Sequence, residues 1–488
     1  MSIEASERKV VEQVPPKLYI GGTWRDAASG ATFKVEDPST GEPLCEVADA
    51  SREDGLAALG AAAAVQQEWA AHPPRERGEI LRRAFEAITA RSDELALLMT
   101  LEMGKPVAES KAEIAYAAEF FRWFAEEAVR IDGQYAVTPA GNGRMLTMRQ
   151  PVGPCLLITP WNFPMAMGTR KIGPAVAAGC TMVMKPAQLT PLSMLALTQI
   201  LEQAGLPGGV LNLVTTSSSG RVMEPLIKDP RTRKLSFTGS TEVGRRLMAQ
   251  AADNVLRVSM ELGGNAPFLV FEDADLDAAV EGAMIAKMRN IGEACTAANR
   301  FHVAAPVADA FASKLAERMA ALKVGRGTEE GVQVGPLIDG AAVEKVTELV
   351  GDAVGKGAKI LTGGKSPNGP GHFYPPTVLD AVPDGAAMLR EEIFGPVAAI
   401  QTFKSEGEVI KRANDTEYGL VAYLYTKDMS RGMRVSEQLE FGMIGLNRGL
   451  VSDPAAPFGG MKQSGIGREG AHEGLMEFLE TQYISVTW

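Results

Sequence analysis

Cysteine and histidine are both scarce in this chain. The four cysteines, Cys45, Cys155, Cys180 and Cys295, lie far apart and form no C-x-x-C pair, so neither a disulfide framework nor a thiolate zinc site is indicated. The four histidines, His72, His302, His372 and His472, are equally scattered, and no metal is expected. No run of about 18 apolar residues occurs, which argues against a membrane span. The polar opening MSIEASERKVVEQVPPKL lacks the apolar segment of a secretory signal. The net charge of −11 and pI near 5.2 come without a long block of either sign, so no extended surface for nucleic acid or anionic lipid is expected. A soluble cytoplasmic protein is the simplest reading. Its chemistry must come from cysteine, carboxylates, amides or a bound organic cofactor.

What is present is ordinary globular material. With 488 residues, 45% hydrophobic and 22% charged, the chain is long enough for two or three domains. From Ser51 to about Arg130 the apolar residues recur at three and four, and Ser51 and Asp54 stand at capping-box spacing, which predicts three helices. QYAVTP and MLTMRQP read as two strands turning around Asn142-Gly143. From Val152, short apolar strands (GPCLLIT, TMVMKP, VLNLV, RKLSFTG) alternate with helices, which implies a parallel sheet whose ligands bind at the carboxyl ends of the strands. A second alternating region follows RVSMELGGNAP. The closing strand TQYISVTW alternates Ile484, Val486 and Trp488 and needs a partner surface. There is no internal repeat.

Four stretches could carry chemistry. Cys295, in NIGEACTAANR, sits among small and polar residues and could be a nucleophile; the alternative is a small core residue, the reading given to the other three cysteines. Glu261, between the apolar end of a strand and two glycines, is the type of group that activates water; an ion pair or an exposed carboxylate is the bland alternative. ITPWNFP ends a central strand, where the Asn162 amide could donate to a developing oxyanion, or the stretch is merely an ordered loop. FTGSTEVG forms a strand-to-helix junction whose amides could face a pyrophosphate, although it lacks the second glycine of G-x-G-x-x-G.

MKPA, FTGST, MELGGNAP, GEAC, EEIFGPV and PFGG, in this order over essentially the whole chain, resemble the aldehyde dehydrogenase superfamily. The resemblance implies an α/β fold with a Rossmann-like cofactor domain (1–130 and 152–262), an α/β catalytic domain (263–462) and a small β oligomerisation element (131–151 and 463–488). It implies Cys295 as nucleophile, Glu261 as general base, and Asn162 with the Cys295 N–H as oxyanion hole. It places the cofactor on Ile158, Thr159, Pro160, Trp161, Gly209, Val243 and Leu262. Lys185 and Gln188 would lie at the adenosine ribose, Phe237, Thr238, Gly239 and Ser240 by the pyrophosphate, and Glu392 and Phe394 at the nicotinamide ribose and ring. The implied mechanism runs through a cysteine thiohemiacetal and thioester.

Within the superfamily, WNFPMAMGTRKIGPA, MRNIGEACTAANRF and GLVSDPAAPFGG are most similar to succinate-semialdehyde dehydrogenases. That similarity implies a distal carboxylate held by Arg170, Arg289 and Ser452; singly, each arginine could equally be a structural ion pair. A clamp does not measure chain length, so glutarate or 2-oxoglutarate semialdehyde is the alternative substrate, and Arg448 could favour a second anionic group. Gln188 stands where NAD-preferring relatives carry Glu, so NADP is expected to be preferred, with NAD as the alternative. Three departures matter. Ala297 replaces a second cysteine, which excludes a disulfide with Cys295 there. Glu293 replaces Gln and would raise the thiol pKa if turned inward. Met288 replaces a Phe beside Arg289. The hairpin and closing strand are edge elements, so a homotetramer or homodimer is expected. Outside oxidation, a thiol esterase or a non-catalytic scaffold are the competing classes.

Overall fold

The computed structural model describes residues 5–487. Trp488, expected to extend the closing alternation, lies outside the described residues. Among those residues the chain forms an eight-stranded sheet, a seven-stranded sheet, a three-stranded sheet and a two-stranded hairpin.

In the first sheet the strands Arg257–Glu261, Lys234–Thr238, Cys155–Ile158, Met182–Lys185 and Leu211–Leu213 run parallel in that spatial order. All of these but the first are completely buried, which is why they read as short continuous apolar runs and not as alternations. Leu18–Ile20 and Thr23–Arg25 close one edge antiparallel, and Gly465–Ile466 closes the other against Met260 and Glu261. The second sheet has Ala266–Val270 and Ala298–Ala304 as central parallel strands, with Val397–Phe403 and Val421–Tyr425 outside them.

Four helices, not three, occupy the stretch after Ser51: Arg52–Ala71, Pro74–Ala90, Ser92–Met103 and Val107–Glu127. Ser92–Met103 escapes a periodicity reading because Leu95 to Met103 are buried except for half-buried Leu97, so no polar face marks its turns. The capping box does form: Asp54 N donates to Ser51 Oγ at 3.3 Å and Ser51 N to the Asp54 carboxylate at 2.9 Å. Val107–Glu127 buries Phe120, Phe121 and Phe124 completely. Each such ring contributes about 1.5–3 kcal/mol over an exposed one.

The hairpin Gln134–Val137 and Arg144–Pro151 also forms, with Leu479–Val486 pairing antiparallel on its other side. Its reversal is not a two-residue Asn-Gly turn. The strands separate after the Val137–Arg144 pair, the chain turns over 138–143, and the left-handed residue is Gly141. Tyr135, Val137 and Tyr483 remain exposed on this sheet. Among the described residues no helix is long and apolar enough to cross a membrane, and no group of three or more His, Cys, Asp or Glu could hold a metal ion.

Candidate active site

Strand register assembles the site. Thr238 pairs with Glu261, Phe237 with Ile158, and Ile158 with Lys185, so residues from four neighbouring strands end along one carboxyl edge. The chain then passes from Glu261 through two glycines into Ala266–Val270, whose partner strand Ala298–Ala304 begins just after Cys295. The carboxyl edge of the first sheet thus meets the amino edge of the second. Gly264 permits the approach, since a Cβ there would lie 2.5 Å from the Cys295 carbonyl oxygen.

A cavity of about 370 Å³ opens at this junction. It is lined by Pro160, Trp161, Asn162, Thr238, Gly239, Ser240, Glu261, Leu262, Cys295, Glu392 and Phe394, all expected from the sequence. Met167, Gly263, Ile338, Asp339, Ala341, Ala342 and Lys345 complete the wall and were not anticipated. The nearest signal for that wall is Asp339, whose carboxylate caps helix Gly340–Gly355 by accepting from Ala342 N at 2.8 Å.

The loop carrying Cys295 is strained. Asn290, Ile291 and Gly292 have φ of 53°, 61° and 79°, and a left-handed non-glycine residue costs roughly 1–2 kcal/mol. Side chains hold it there. Asn290 N donates to Glu109 Oε2 at 2.7 Å, and Asn290 Nδ2 donates to the carbonyls of Asn162 and Glu293 at 3.0 and 2.8 Å. Lys105 Nζ donates to the Asn162 carbonyl at 2.8 Å and to Glu113 at 2.5 Å. The Asn162 amide spends one N–H on the Glu293 carbonyl at 3.0 Å and has a second to offer an oxyanion.

Burial pushes the Cys295 thiol up to about 12; Arg170 and Arg289 oppose this, while Glu392 and Glu261 add to it. Glu293, expected to add to this if turned towards the thiol, has its carboxylate engaged by Ile338 N at 3.1 Å. Glu261 is enclosed, neither of its oxygens has a hydrogen-bond partner, and burial followed by the nearby Glu469 holds its pKa well above the usual carboxylate range. Both groups face the cavity, and burial disfavours the charged form of each.

Trp161 and Phe394 meet edge to face with centroids 5.4 Å apart. Glu392 accepts from Gly264 N at 3.2 Å, and burial raises its pKa to about 7. Ser240 caps helix Thr241–Ala252 through Val243 N, so amide groups at that helix start lie beside the cavity. Lys185 is buried and its pKa falls to about 8 for that reason. These groups suit a phosphate-bearing nicotinamide cofactor: a helix N-terminus for the anion, a buried ammonium, and a carboxylate for a ribose hydroxyl.

Other expected residues lie apart from the cavity. Ile158 and Phe237 are buried near the ends of their strands, with buried Thr159 just beyond Ile158. Gln188 is exposed and lines a separate cavity of about 200 Å³ with Lys34, Glu102 and Asp339. Gly209, at φ 88°, faces Ala61 and Val65 of the first long helix, where a side chain would not fit.

The three clamp residues divide. Arg289 Nη1 donates to Ser452 Oγ at 3.3 Å, its guanidinium lies over Phe163 and Tyr116, and it forms no salt bridge among the described residues. Arg170 is 1% exposed, stacks on Phe458 at 4.1 Å, and its Nε pairs with Glu469 at 2.5 Å. The ion pair of its structural alternative is thus present. Lys171 bonds the other Glu469 oxygen, giving a buried triad that no local sequence pattern indicates, because Glu469 lies 298 residues away.

The aldehyde dehydrogenase family model matches residues 24–484. A succinate-semialdehyde dehydrogenase of Paenarthrobacter nicotinovorans is 61% identical over 443 residues, covering 91% of this chain and 98% of its own. A glutarate-semialdehyde dehydrogenase of Pseudomonas putida is 53% identical over 471 residues, covering 96% and 98%. A solved NADP-dependent enzyme of Escherichia coli superposes with a TM-score of 0.96 at 48% identity, over 100% of both chains.

Proposed function

We propose that this chain, which belongs to the aldehyde dehydrogenase family, oxidises succinate semialdehyde to succinate with a nicotinamide cofactor, NADP in preference to NAD. The observation that carries the substrate is Arg289, bonded to Ser452 and near enough to Cys295 to favour its thiolate. A guanidinium without a carboxylate partner beside a nucleophile recruits an anionic aldehyde. The 61% identical succinate-semialdehyde dehydrogenase supports the same reading, and the glutarate enzyme supports the longer semialdehyde as the second.

The residues act in sequence. Glu261, once ionised, takes the Cys295 proton directly or through water, and the thiolate sulfur adds to the aldehyde carbon. The carbonyl oxygen becomes an oxyanion facing Asn162 Nδ2 and the Cys295 N–H, and the product is a thiohemiacetal. A nicotinamide cofactor held here would supply the two-electron oxidation of the thiohemiacetal to a thioester by accepting its hydride. Glu261 gives that first proton up to solvent and then removes a proton from a water, which attacks the thioester carbon; collapse expels the Cys295 sulfur, which takes the proton back from Glu261, and the carboxylic acid product ionises to the carboxylate. Glu392 and Phe394 would hold the nicotinamide end, and Lys185 and the helix start at Ser240 the phosphate-bearing end.

The division of the chain into a cofactor domain (1–130, 152–262), a catalytic domain (263–462) and an oligomerisation element (131–151, 463–488) belongs to the same proposal, as does a cytoplasmic homotetramer or homodimer. The exposed Tyr135, Val137 and Tyr483 support pairing through the three-stranded sheet. The deciding experiment compares initial rates of NADP and NAD reduction with succinate semialdehyde, glutarate semialdehyde and propanal. Preference for the four-carbon acid supports the reading; propanal turned over as efficiently as both acids would sink the substrate assignment.

A further inference from the structure

Lys287 is wholly buried in the last turn of helix Leu276–Met288, and the mechanism does not use it. Its Nζ donates to two neutral acceptors, Asn299 Oδ1 at 2.9 Å and the Gly395 carbonyl at 3.2 Å. Both acceptors sit beside the chemistry. Asn299 lies at the start of strand Ala298–Ala304, just after Cys295, while Lys287 itself precedes the strained turn at Asn290, Ile291 and Gly292. Gly395 follows Phe394, which lines the reaction cavity with Glu392. One amine therefore ties the two ends of the nucleophile loop to each other and to the loop that carries Glu392 and Phe394.

We propose that Lys287 is a positioning residue that fixes the spacing between the Cys295 loop and the Glu392–Phe394 loop, and hence between the nucleophile and the nicotinamide ring; this rests on the oxidation proposed above. The loops meet at two glycines. A Cβ on Gly292, whose φ is 79°, would stand 2.2 Å from the Gly395 carbonyl oxygen and 3.1 Å from that of Lys287. Such a contact limits how near the loops can come, and the bonds from Lys287 keep them from parting. Phe394 has a φ of 54°, a left-handed conformation that a bulky residue keeps only where its neighbours hold it. On one side Glu392 accepts from Gly264 N at 3.2 Å; on the other Gly395 accepts from Val397 N at 2.9 Å and from Lys287.

An apolar side chain could fill this space without losing the water that a buried amine gives up. What lysine adds is its donors. Burial lowers the Lys287 pKa to about 7, with Glu392 opposing, and even the neutral amine has two N–H groups for its two acceptors. The clamp therefore holds in either protonation state. Spacing matters most at hydride transfer, where the carbon on Cys295 must lie within reach of the ring that Phe394 and Glu392 hold, and a misplacement of about 1 Å can slow such a step about 10²-fold.

The test compares wild type with Lys287→Met, which keeps the length of the side chain and loses its donors, and with Asn299→Leu, which removes one acceptor. The first readout is single-turnover formation of reduced cofactor at saturating NADP and succinate semialdehyde, which depends on the proposed reaction. The second, independent of it, is amide hydrogen exchange over 289–295 and 392–397 without cofactor. In Lys287→Met the single-turnover rate constant is expected to fall about 10²-fold with its amplitude kept, and exchange to quicken in both segments while the rest of the second sheet stays protected. Partial unfolding would instead lower the amplitude and leave the rate constant alone. Asn299→Leu quickens exchange over 289–295 and leaves 392–397 protected through the remaining Gly395 bond. A wild-type rate constant in Lys287→Met would overturn the proposal, as would wild-type exchange in both segments or acceleration spread evenly over the second sheet, the mark of an ordinary core residue. If Lys287→Met does not fold, unchanged exchange over 289–295 in Asn299→Leu overturns it. Absence of succinate semialdehyde turnover in wild type would defeat the proposed reaction and leave exchange to decide the role of Lys287.

Discussion

Arg289 reaches Ser452 across 163 residues of sequence and donates to its hydroxyl at 3.3 Å, with its guanidinium over two aromatic rings and in no salt bridge among the described residues. A charged hydrogen bond contributes about 1.5–3 kcal/mol, roughly 10- to 150-fold in binding. Arg289→Ala is therefore expected to lower kcat/KM for succinate semialdehyde by that factor, mainly through KM, and to leave propanal nearly unchanged. Equal losses for both aldehydes would assign Arg289 to structure.

Arg170 is expected to behave differently. Its guanidinium, Lys171 and Glu469 form one buried cluster, and removing one partner of a buried pair costs about 3–5 kcal/mol. Arg170→Ala should lose stability on that scale in denaturant unfolding, where Arg289→Ala loses much less. Matched midpoints for the two variants would show that the Glu469 pairing does not anchor Arg170.

The contrast between these arginines marks what the sequence could convey. Strands such as Cys155–Ile158 and Met182–Lys185 were legible because full burial makes them short apolar runs bounded by glycine and proline. Cys295, Glu261 and Asn162 stood out singly only as candidates in polar or open stretches; the ordered family motifs joined them, and the structure sets all three around one cavity. The helix Ser92–Met103 was not, since burial all round erases its period. Nor were the Arg170–Glu469 pair and the Ile338–Asp339 wall, because contacts between residues far apart in the chain leave no local pattern. The direction of the Glu293 side chain depended on Ile338 N, which only the folded chain brings near.

Gln188 tests cofactor choice. It is exposed and lines, with Lys34, a cavity apart from the one that holds Cys295. Gln188→Glu introduces a negative charge that repels a 2′-phosphate and accepts from a 2′-hydroxyl. The ratio of kcat/KM for NADP over NAD should fall about tenfold or more, the effect of about 1.4 kcal/mol. An unchanged ratio would remove Gln188 from the cofactor site.

Glu102 supplies a pH dependence of stability. Its carboxylate accepts from Leu192 N and Ser193 N at 2.7 and 2.8 Å, but burial outweighs these bonds and raises its pKa from 4.5 to about 7. A raised acid pKa means the folded chain holds this proton while the unfolded chain has released it, so this group's contribution to stability falls as pH climbs from about 4.5 to about 7. Glu102→Gln cannot ionise. Its stability relative to wild type should therefore increase over that interval and level off above it. A difference that stays constant from pH 4.5 to 7 would place Glu102 at its ordinary pKa.

Glu261 carries the last expectation, because the same carboxyl group is asked to serve two steps. Buried without a partner for either oxygen, it holds its proton tightly and, once ionised, is a stronger base than an exposed glutamate. Glu261→Gln retains the shape and loses the base. Thioester hydrolysis then lacks its proton acceptor, and kcat should fall by about 10²- to 10⁴-fold. Acylation of Cys295 can still proceed slowly where Arg170 and Arg289 favour the thiolate. The expected signature is a burst of reduced cofactor near one equivalent per site followed by very slow turnover, and hydroxylamine, which attacks thioesters without a base, should restore part of the steady rate. Loss of the burst together with the steady rate would mean that Glu261 acts chiefly on the Cys295 proton, and that the water is activated by another group.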